Sequence, residues 1–98
     1  MKVIWSRRAR NDLREIGDYI GRDDREQARI WLRKLWERVN RVSSVPRSGR
    51  VVPEYRRDDV REVFLKTYRI MYRVVSGRLF VLTVLEGHRM IHDDLAMD

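Results

Sequence analysis

The chain has 98 residues, of which 22 are lysine or arginine and 15 are aspartate or glutamate, and it contains no cysteine. This length predicts one domain, residues 1–98, built around one core. The absence of cysteine excludes a disulfide framework and any site that depends on a thiolate. The net charge of +7 comes from 19 arginines and only three lysines, and it favours an anionic partner, either a nucleic acid or an acidic protein segment.

The composition also predicts where the protein is found. Hydrophobic residues make up 43% of the chain, which is too many for a disordered protein. No apolar run approaches the roughly 18 residues that a membrane-spanning helix needs. The first residues lack the apolar stretch of a secretory signal. We therefore expect a folded cytoplasmic protein with no membrane segment.

The N-terminal segment predicts a short strand followed by a helix. An apolar stretch over residues 2–5 precedes Ser6, a residue type that commonly caps helix N-termini. Gly21 is expected to end the helix, because glycine adopts the left-handed conformation at little cost. Apolar residues recur at helical spacing between these two points, at Ala9, Leu13, Ile16 and Ile20. The helix is therefore predicted near residues 6–21.

A second helix is predicted near residues 24–42. Asp24 and Gln27 have the spacing of a capping box. Trp31 and Trp36 widen the apolar stripe that follows. The stripe itself consists of Ala28, Leu32, Leu35, Val39 and Val42. Because only a tight turn separates the two helices, they are expected to form an antiparallel hairpin.

The second half of the chain predicts strands. After a turn-rich segment over residues 43–53, alternating patterns appear around 62–66 and 68–75, and a Ser76-Gly77 turn leads to an apolar run over 79–85. The apolar run indicates a central strand covered on both faces. The predicted fold class is α+β, with an N-terminal strand and an antiparallel helix hairpin packed on one face of an antiparallel sheet. The opposite, uncovered face would carry Arg69 and Arg73.

The arginines of the sheet are the first candidates for function. On an uncovered face they could form an anion-binding surface. Alternatively, they are solvated or pair with Glu62, Glu86 and the C-terminal aspartates. The candidates are Arg61, Arg69, Arg73 and Arg89. The helices carry many further arginines, which indicate either a solvated outer face or a surface for a nucleic acid or another partner.

Two histidines near the C-terminus are the next candidates. His88 and His92 are four residues apart, a spacing that could hold a metal on a helix, but the chain has no third histidine. His92 could also serve as a general base, since the ordinary pKa of histidine lies near neutrality. Polar surface remains the favoured interpretation of the pair. We therefore expect neither a metal nor a cofactor.

Several short segments, in their order and spacing, resemble the ParE branch of the RelE/ParE toxin family over nearly the whole chain. The segments are Val3-Ile4-Trp5-Ser6, Ala9 with Asp12-Leu13, Asp18-Tyr19-Ile20, Pro46-Arg47-Ser48-Gly49-Arg50, Arg61-Glu62, Tyr68-Arg69-Ile70-Met71-Tyr72-Arg73-Val74 and Gly87-His88-Arg89. The resemblance implies a RelE/ParE-like fold. It also implies the toxin of a bacterial type II toxin–antitoxin module.

The resemblance further implies a protein partner. Such toxins are neutralised by a cognate antitoxin, here of the ParD type with a ribbon-helix-helix DNA-binding half, in a hetero-oligomeric complex. The C-terminal segment of the antitoxin crosses the helix hairpin and the sheet. The residues assigned to this contact are Trp31, Leu35, Met71 and Arg73. An acidic amphipathic segment would suit a basic surface with apolar grooves.

The activity implied for the ParE branch is growth inhibition by poisoning DNA gyrase, with Arg61, Arg69, Arg73 and Arg89 as the target-binding residues. The alternative is a ribosome-dependent mRNA endonuclease of the RelE type, in which Arg69, Arg89 and His92 would be catalytic. The tyrosine near the C-terminus of the nuclease branch is absent, since Leu95 lies about where it would fall, and Lys66 stands alone where that branch has paired lysines. We therefore expect a gyrase inhibitor and not an enzyme.

Overall fold

The computed structural model describes residues 1–87, so the expectations for His88, Arg89 and His92 lie outside the described residues. Its elements, in chain order, are β1 (Lys2–Trp5), α1 (Arg7–Gly21), α2 (Arg25–Ser44), a 3-10 turn (Pro46–Ser48), β2 (Arg50–Val51), β3 (Val60–Leu65), β4 (Tyr68–Val75) and β5 (Arg78–Glu86). The predicted α+β class is confirmed. None of the helices in the described part of the chain is long and apolar enough to cross a membrane.

The strands form one five-stranded sheet in the order β1-β5-β4-β3-β2. Strands β2 to β5 pair antiparallel, while β1 lies parallel to β5, with Val3 opposite Leu79. The helix hairpin carries the chain from β1 across the sheet. The prediction of a central strand is confirmed, because β5 lies between β1 and β4 and is buried from Val81 to Leu85. The two-residue strand β2 was not predicted.

Both helices begin where the sequence predicts. The Ser6 hydroxyl accepts the backbone N–H of Ala9 at 3.0 Å, and the Asp24 carboxylate accepts the N–H groups of Glu26 and Gln27 at 3.0 and 3.2 Å. These contacts satisfy N–H groups that have no partner inside the helix. They fix the start of α1 beside the sheet and the start of α2 immediately after the hairpin turn.

The end of α1 corrects the expectation for Gly21. Among the described residues, Gly77 is the glycine in the left-handed region, with a φ of 73°. Gly21 instead stays helical as the last residue of α1. The helix ends because the N–H groups of Asp23 and Asp24 both turn back to the carbonyl of Ile20, and Asp24 then becomes extended. The aspartate cap of α2, and not glycine, therefore stops α1.

The sheet is covered on both faces, which corrects the expectation of an uncovered one. The main core lies between the hairpin and the sheet and includes Leu35, Val39, Ile70, Tyr72 and Val81. On the opposite face, the loop over residues 52–59 folds across the sheet. A second core forms beneath it from Val52, Val60, Met71, Leu82 and Leu85. The physical reason is that apolar side chains of β4 and β5 point to both faces, so each face must be covered.

A bulge in β5 helps to build the second core. Met71 lies opposite Thr83, whereas the next residue, Tyr72, lies opposite Val81, so Leu82 is an extra residue in β5. An extra residue reverses the alternation of side chains beyond it. The bulge therefore leaves Val81 and Val84 in the main core and Leu82 and Leu85 in the second core.

Replacing Ser76 by asparagine is expected to raise the free energy of unfolding by about 0.5 kcal/mol. Ser76 and Gly77 both have positive φ, at 49° and 73°, as the type I′ hairpin turn requires. Asparagine tolerates the left-handed region better than serine does. Urea unfolding measures the change, with Ser48→Asn outside this turn as control. A Ser76→Asn midpoint at or below the wild-type value would contradict the expectation.

Candidate functional site

Two of the predicted sheet arginines, Arg69 and Arg73, lie on the sheet face that the 52–59 loop covers. Glu62 of β3 is the centre of the largest cluster on this face, and its side chain is completely buried. The Arg69 guanidinium donates from Nε and Nη2 to Glu62 Oε1 at 2.9 and 2.6 Å, while Arg50 donates to Glu62 Oε2 at 2.5 Å. One buried carboxylate is thus held between two arginines. In a buried ion pair, removing one partner leaves the other charge without compensation, so the loss of stability is large.

Glu54 extends this cluster to the loop. Its two carboxylate oxygens accept from Arg69 Nη1 and Nη2, both at 3.2 Å. Burial alone would lower the pKa of Arg69, and the hydrogen bonds to Glu54 and Glu62 more than reverse this effect. Arg69 is therefore a buried, fully engaged cation that fastens the loop to the sheet, and its guanidinium does not face a free anion site in this arrangement.

Arg61 anchors the segment before the loop. Its guanidinium donates to Asp58 at 2.7 Å and to the carbonyl of Gly49 at 2.8 Å, and Arg47 binds the same Asp58 at 2.9 Å. The Arg61 side chain is mostly buried, whereas Arg47 and Asp58 are exposed. Arg61 thus joins β3 to the end of the 3-10 turn, and only part of its surface faces solvent.

Arg73 is engaged in the same way on β4. It donates from Nε to Asp59 at 2.9 Å, and Arg57 donates two hydrogen bonds to the same carboxylate at 3.1 and 2.9 Å. Arg73 keeps about a fifth of its side chain exposed. The sheet thus brings Arg69 and Arg73 onto the face that the 52–59 loop covers, each facing a carboxylate from a neighbouring segment. Arg61 alternates with Glu62 along β3 and lies on the opposite face. Sequence reasoning offered Glu62 as a partner of the sheet arginines, and Arg69 does bind it, but it gave no role to Glu54, Asp58 and Asp59.

Acid is expected to loosen the loop. Hydrogen bonds from Arg69, Arg47 and Arg57 lower the pKa values of Glu54, Asp58 and Asp59 below their ordinary values of 4.5 for glutamate and 3.8 for aspartate. A lowered folded-state pKa contributes stability above the ordinary pKa, and that stability is lost as the pH falls through the folded-state value. Urea midpoints should therefore drop as the pH falls below about 4. In the double variant Asp58→Asn/Asp59→Asn, the urea midpoint should decrease less over the same pH range. A decrease as large as that of wild type would contradict the assignment of the pH dependence to these carboxylates.

Tyr72 ties the segment between α2 and β2 to the main core. Its hydroxyl donates to the carbonyl of Pro46 at 2.6 Å and accepts the N–H of Gly49 at 3.1 Å. Burial raises the pKa of the Tyr72 phenol, so the group stays protonated and available as a donor. Gly49 is buried against this hydroxyl and against the β3 backbone. The segment between α2 and β2 is therefore positioned by the buried Tyr72 hydroxyl together with Arg61.

The residues assigned to the antitoxin contact are separated by the fold. Leu35 and Met71 are completely buried, one in each core, and a partner could reach neither without displacing its neighbours. Trp31 is half-buried on α2, with its ring 6.2 Å from that of Tyr68 and the Lys34 ammonium 5.0 Å above it. Trp31 and Arg73 are therefore the two assigned residues with accessible surface.

The contacts that Asp12 and Ser6 make with β5 escaped sequence reasoning, although Ser6 was predicted as a helix cap. The Asp12 carboxylate accepts from the Thr83 hydroxyl at 2.5 Å and from the Val84 N–H at 3.0 Å. The Ser6 hydroxyl donates to the carbonyl of Leu82 at 3.0 Å. These contacts occupy the edge of β5 where its pairing with β1 ends. Asp12, which belongs to the segment Ala9 with Asp12-Leu13, therefore has a structural role, because it holds α1 against the bulge in β5.

Comparisons with known proteins agree with this architecture. Residues 3–91 match the family described as "ParE toxin of type II toxin-antitoxin system, parDE". The chain is 33% identical over 90 residues to "Putative toxin Y4kP" of Sinorhizobium fredii (strain NBRC 101917 / NGR234), covering 90% of each chain. A solved chain of the chromosomal ParDE TA system from P. aeruginosa superposes with a TM-score of 0.73 at 25% identity, covering 88% of this chain and 95% of the other. The chain therefore belongs to the ParE family of toxins from type II toxin–antitoxin systems.

Proposed function

We propose that this ParE-family toxin inhibits growth by poisoning DNA gyrase, and that a cognate ParD-like antitoxin neutralises it in a cytoplasmic hetero-oligomer. The observation that carries the proposal is the likeness to a ParDE system across 88% of the chain, supported by the family match over residues 3–91. The basic charge of +7 supports an acidic antitoxin segment as the partner. All of residues 1–98 are taken to act as one domain.

The sheet arginines are proposed to contribute in two ways: by contact with the target and by positioning the 52–59 loop. Arg61 and Arg73 retain exposed surface and can contact the target, with Arg89 proposed as a third contact. Arg69 is buried between Glu54 and Glu62, so its contribution to target binding would come through the position of the loop. For the antitoxin, Trp31 offers an aromatic surface next to the Lys34 charge, a combination that suits an amphipathic acidic segment.

The antitoxin proposal is tested by binding. The purified chain is titrated with the product of the neighbouring gene at low and physiological salt, with isothermal calorimetry as the readout. Trp31→Ala is expected to weaken the complex about tenfold or more, since aromatic anchors dominate interface energies. Phe64→Ala, an exposed aromatic residue on the other face of the sheet, is the matched control. No complex with wild type, or equal losses in both variants, would contradict the proposed contact.

The gyrase proposal is tested by two readouts after induced expression: DNA cleavage that depends on gyrase, and mRNA cleavage at the ribosome. Arg73→Ala and Arg89→Ala are expected to reduce toxicity and gyrase-dependent cleavage about tenfold. Arg78→Ala, an exposed arginine at the start of β5, should match wild type. Cleaved mRNA that disappears in His92→Ala would instead support the RelE-type nuclease, with Arg69, Arg89 and His92 in catalytic roles.

A further inference from the structure

One groove of this basic protein is acidic. It lies between α1 and the end of the β4–β5 pair and has a volume of about 740 Å³. Its charged lining residues are Asp12, Glu15, Asp18, Arg22 and Glu86. Four carboxylates against one guanidinium give this lining a formal charge of −3, although the chain as a whole carries +7. The groove therefore attracts cations that the net charge of the protein repels.

The helix and the sheet each supply one wall of the groove. Asp12, Glu15 and Tyr19 share one stripe of α1, at spacings of three and four residues. Glu86 lies opposite Tyr68 in the β4–β5 pair, and paired residues point to the same face of a sheet. Tyr68 belongs to the main core, so Glu86 also points to the hairpin side of the sheet. Carboxylates thus line the groove from both walls.

The carboxylates of the groove keep unused oxygens. Within residues 1–87, no hydrogen bond or ion pair engages the side chains of Glu15, Asp18 and Glu86. Asp12 accepts its two hydrogen bonds at Oδ2, so its Oδ1 receives none from the described residues. Arg22 lies over the Tyr19 ring, with its guanidinium carbon 5.9 Å from the ring centroid. The groove therefore offers acceptors to a cation from outside the chain.

A buried hydroxyl group also lines the groove. Tyr68 is only 9% exposed, and its ring centroid lies 6.2 Å from that of Trp31. The hydroxyl forms no hydrogen bond with any residue of the described chain. Burial raises the pKa of this phenol, and the Glu86 carboxylate raises it further, so the group stays neutral. Since buried polar groups normally have a partner, the partner of this hydroxyl must come from the groove.

Arginine and lysine side chains match this lining. Their charged groups donate hydrogen bonds and provide the counterion that Glu15 and Glu86 lack. Their methylene stems pack on apolar surface, which Ile16 and Val84 supply. Tyr19 is 70% exposed and offers an aromatic ring for a cation–π contact. The groove thus combines the three kinds of contact that hold a long basic side chain.

The size of the groove favours a protein segment over a small polycation. Its α1 wall rises about 10 Å from Asp12 to Tyr19, the reach of about three residues of extended chain. A linear polyamine carries charge but lacks the bulk to occupy a groove of about 740 Å³. An extended peptide brings its backbone and neighbouring side chains together with the charge.

We propose that this groove binds a short, extended basic segment of a protein partner. An arginine or lysine side chain of that segment lies between Glu15 and Glu86 and donates a hydrogen bond to the Tyr68 hydroxyl. The antitoxin contact proposed above has the opposite chemistry, because it places an acidic segment against Trp31 and Lys34. The groove proposal therefore depends neither on that contact nor on gyrase as the target.

The test is fluorescence anisotropy with the purified full chain and a labelled, end-blocked peptide of five residues that alternates arginine and leucine, at about 50 mM salt. Because the net charge of the chain repels this probe, general attraction does not explain its binding. Glu15→Gln/Glu86→Gln should weaken binding about tenfold or more. Tyr68→Phe should weaken it about fivefold without lowering the urea midpoint, since the hydroxyl has no partner within the described residues. A lower midpoint or unchanged binding in Tyr68→Phe would overturn the role of the hydroxyl.

Matched controls separate the groove from acidic charge elsewhere. Asp23→Asn/Glu37→Gln removes the same charge from exposed residues that do not line the groove, and it should leave the affinity unchanged. Thermal melting confirms that all variants are folded. Equal losses in the two double variants, or no binding of the peptide to wild type, would overturn the proposal. Spermidine that displaces the peptide at equal charge concentration would overturn it in favour of a small polycation.

Discussion

Glu62→Gln is expected to lower the free energy of unfolding by about 3 kcal/mol. The Glu62 carboxylate is completely buried and accepts hydrogen bonds from Arg69 and Arg50. Glutamine has nearly the same shape but carries no charge, so the Arg69 cation, only 8% exposed, would lose its buried counterion. Arg69 would keep only Glu54, which is 47% exposed, and weakening the compensation of a buried charge in this way costs more than the intact pair contributes.

The measurement is urea unfolding of wild type and variant at neutral pH. Glu54→Gln is the matched control, because Glu54 binds the same arginine but is 47% exposed. The control should lose less than about 1 kcal/mol, as exposed ion pairs do. Arg69→Met in the Glu62→Gln background should recover part of the loss by removing the stranded cation. Equal effects of Glu62→Gln and Glu54→Gln would show that burial does not set the strength of this cluster.

Gly49→Ala is expected to destabilise the fold by about 3 kcal/mol, because no space exists for a methyl group. A Cβ at this position would lie 2.8 Å from the carbonyl oxygen of Glu62 and would collide with the Tyr72 hydroxyl. The clash with Glu62 involves backbone, which cannot rotate away as a side chain can. The substitution would also displace the Gly49 N–H from the Tyr72 hydroxyl, which it binds at 3.1 Å.

Gly21→Ala provides the control for a change from glycine to alanine. A Cβ at Gly21 would meet Ala28 at 3.7 Å, an ordinary contact, and alanine favours the helical conformation that Gly21 adopts. This variant should be as stable as wild type or more stable. The double variant Gly49→Ala/Tyr72→Phe removes the hydroxyl but not the Glu62 carbonyl, so it should remain destabilised. Recovery of wild-type stability in that variant would locate the clash at the tyrosine alone.

The order of helices and strands, the helix caps and the two helical stripes were predictable from sequence. Ser6 and Asp24 were recognised as caps because their function depends on hydrogen bonds within a few residues. The Ser76-Gly77 turn was recognisable for the same reason, since both residues need positive φ. The four arginines were grouped because they lie on or beside three successive predicted strands. The alternation of β4 placed Arg69 and Arg73 on one face, as the structure has them.

What the arginines bind was decided by the tertiary structure. The partners of Arg69 and Arg73 come from residues 7 to 15 positions away, and only the folding of the 52–59 loop over the sheet brings Glu54 and Asp59 to them. Sequence patterns report which face a side chain takes, but they do not report what covers that face. The second core depended on the same loop and on the Leu82 bulge, which no local pattern indicated.

The hairpin illustrates the same division. Sequence periodicity alone determined that α1 and α2 are amphipathic and that their outer residues are mainly arginine. Contacts between the helices, such as those of Gly17 with Leu32 and Gly21 with Ala28, set how α1 and α2 lie against each other. Local sequence thus determined the elements and their charged faces, because helix and strand periodicities are short-range. Contacts distant in sequence decided which charges are neutralised and which remain exposed, because compensation requires two chain segments to meet in space.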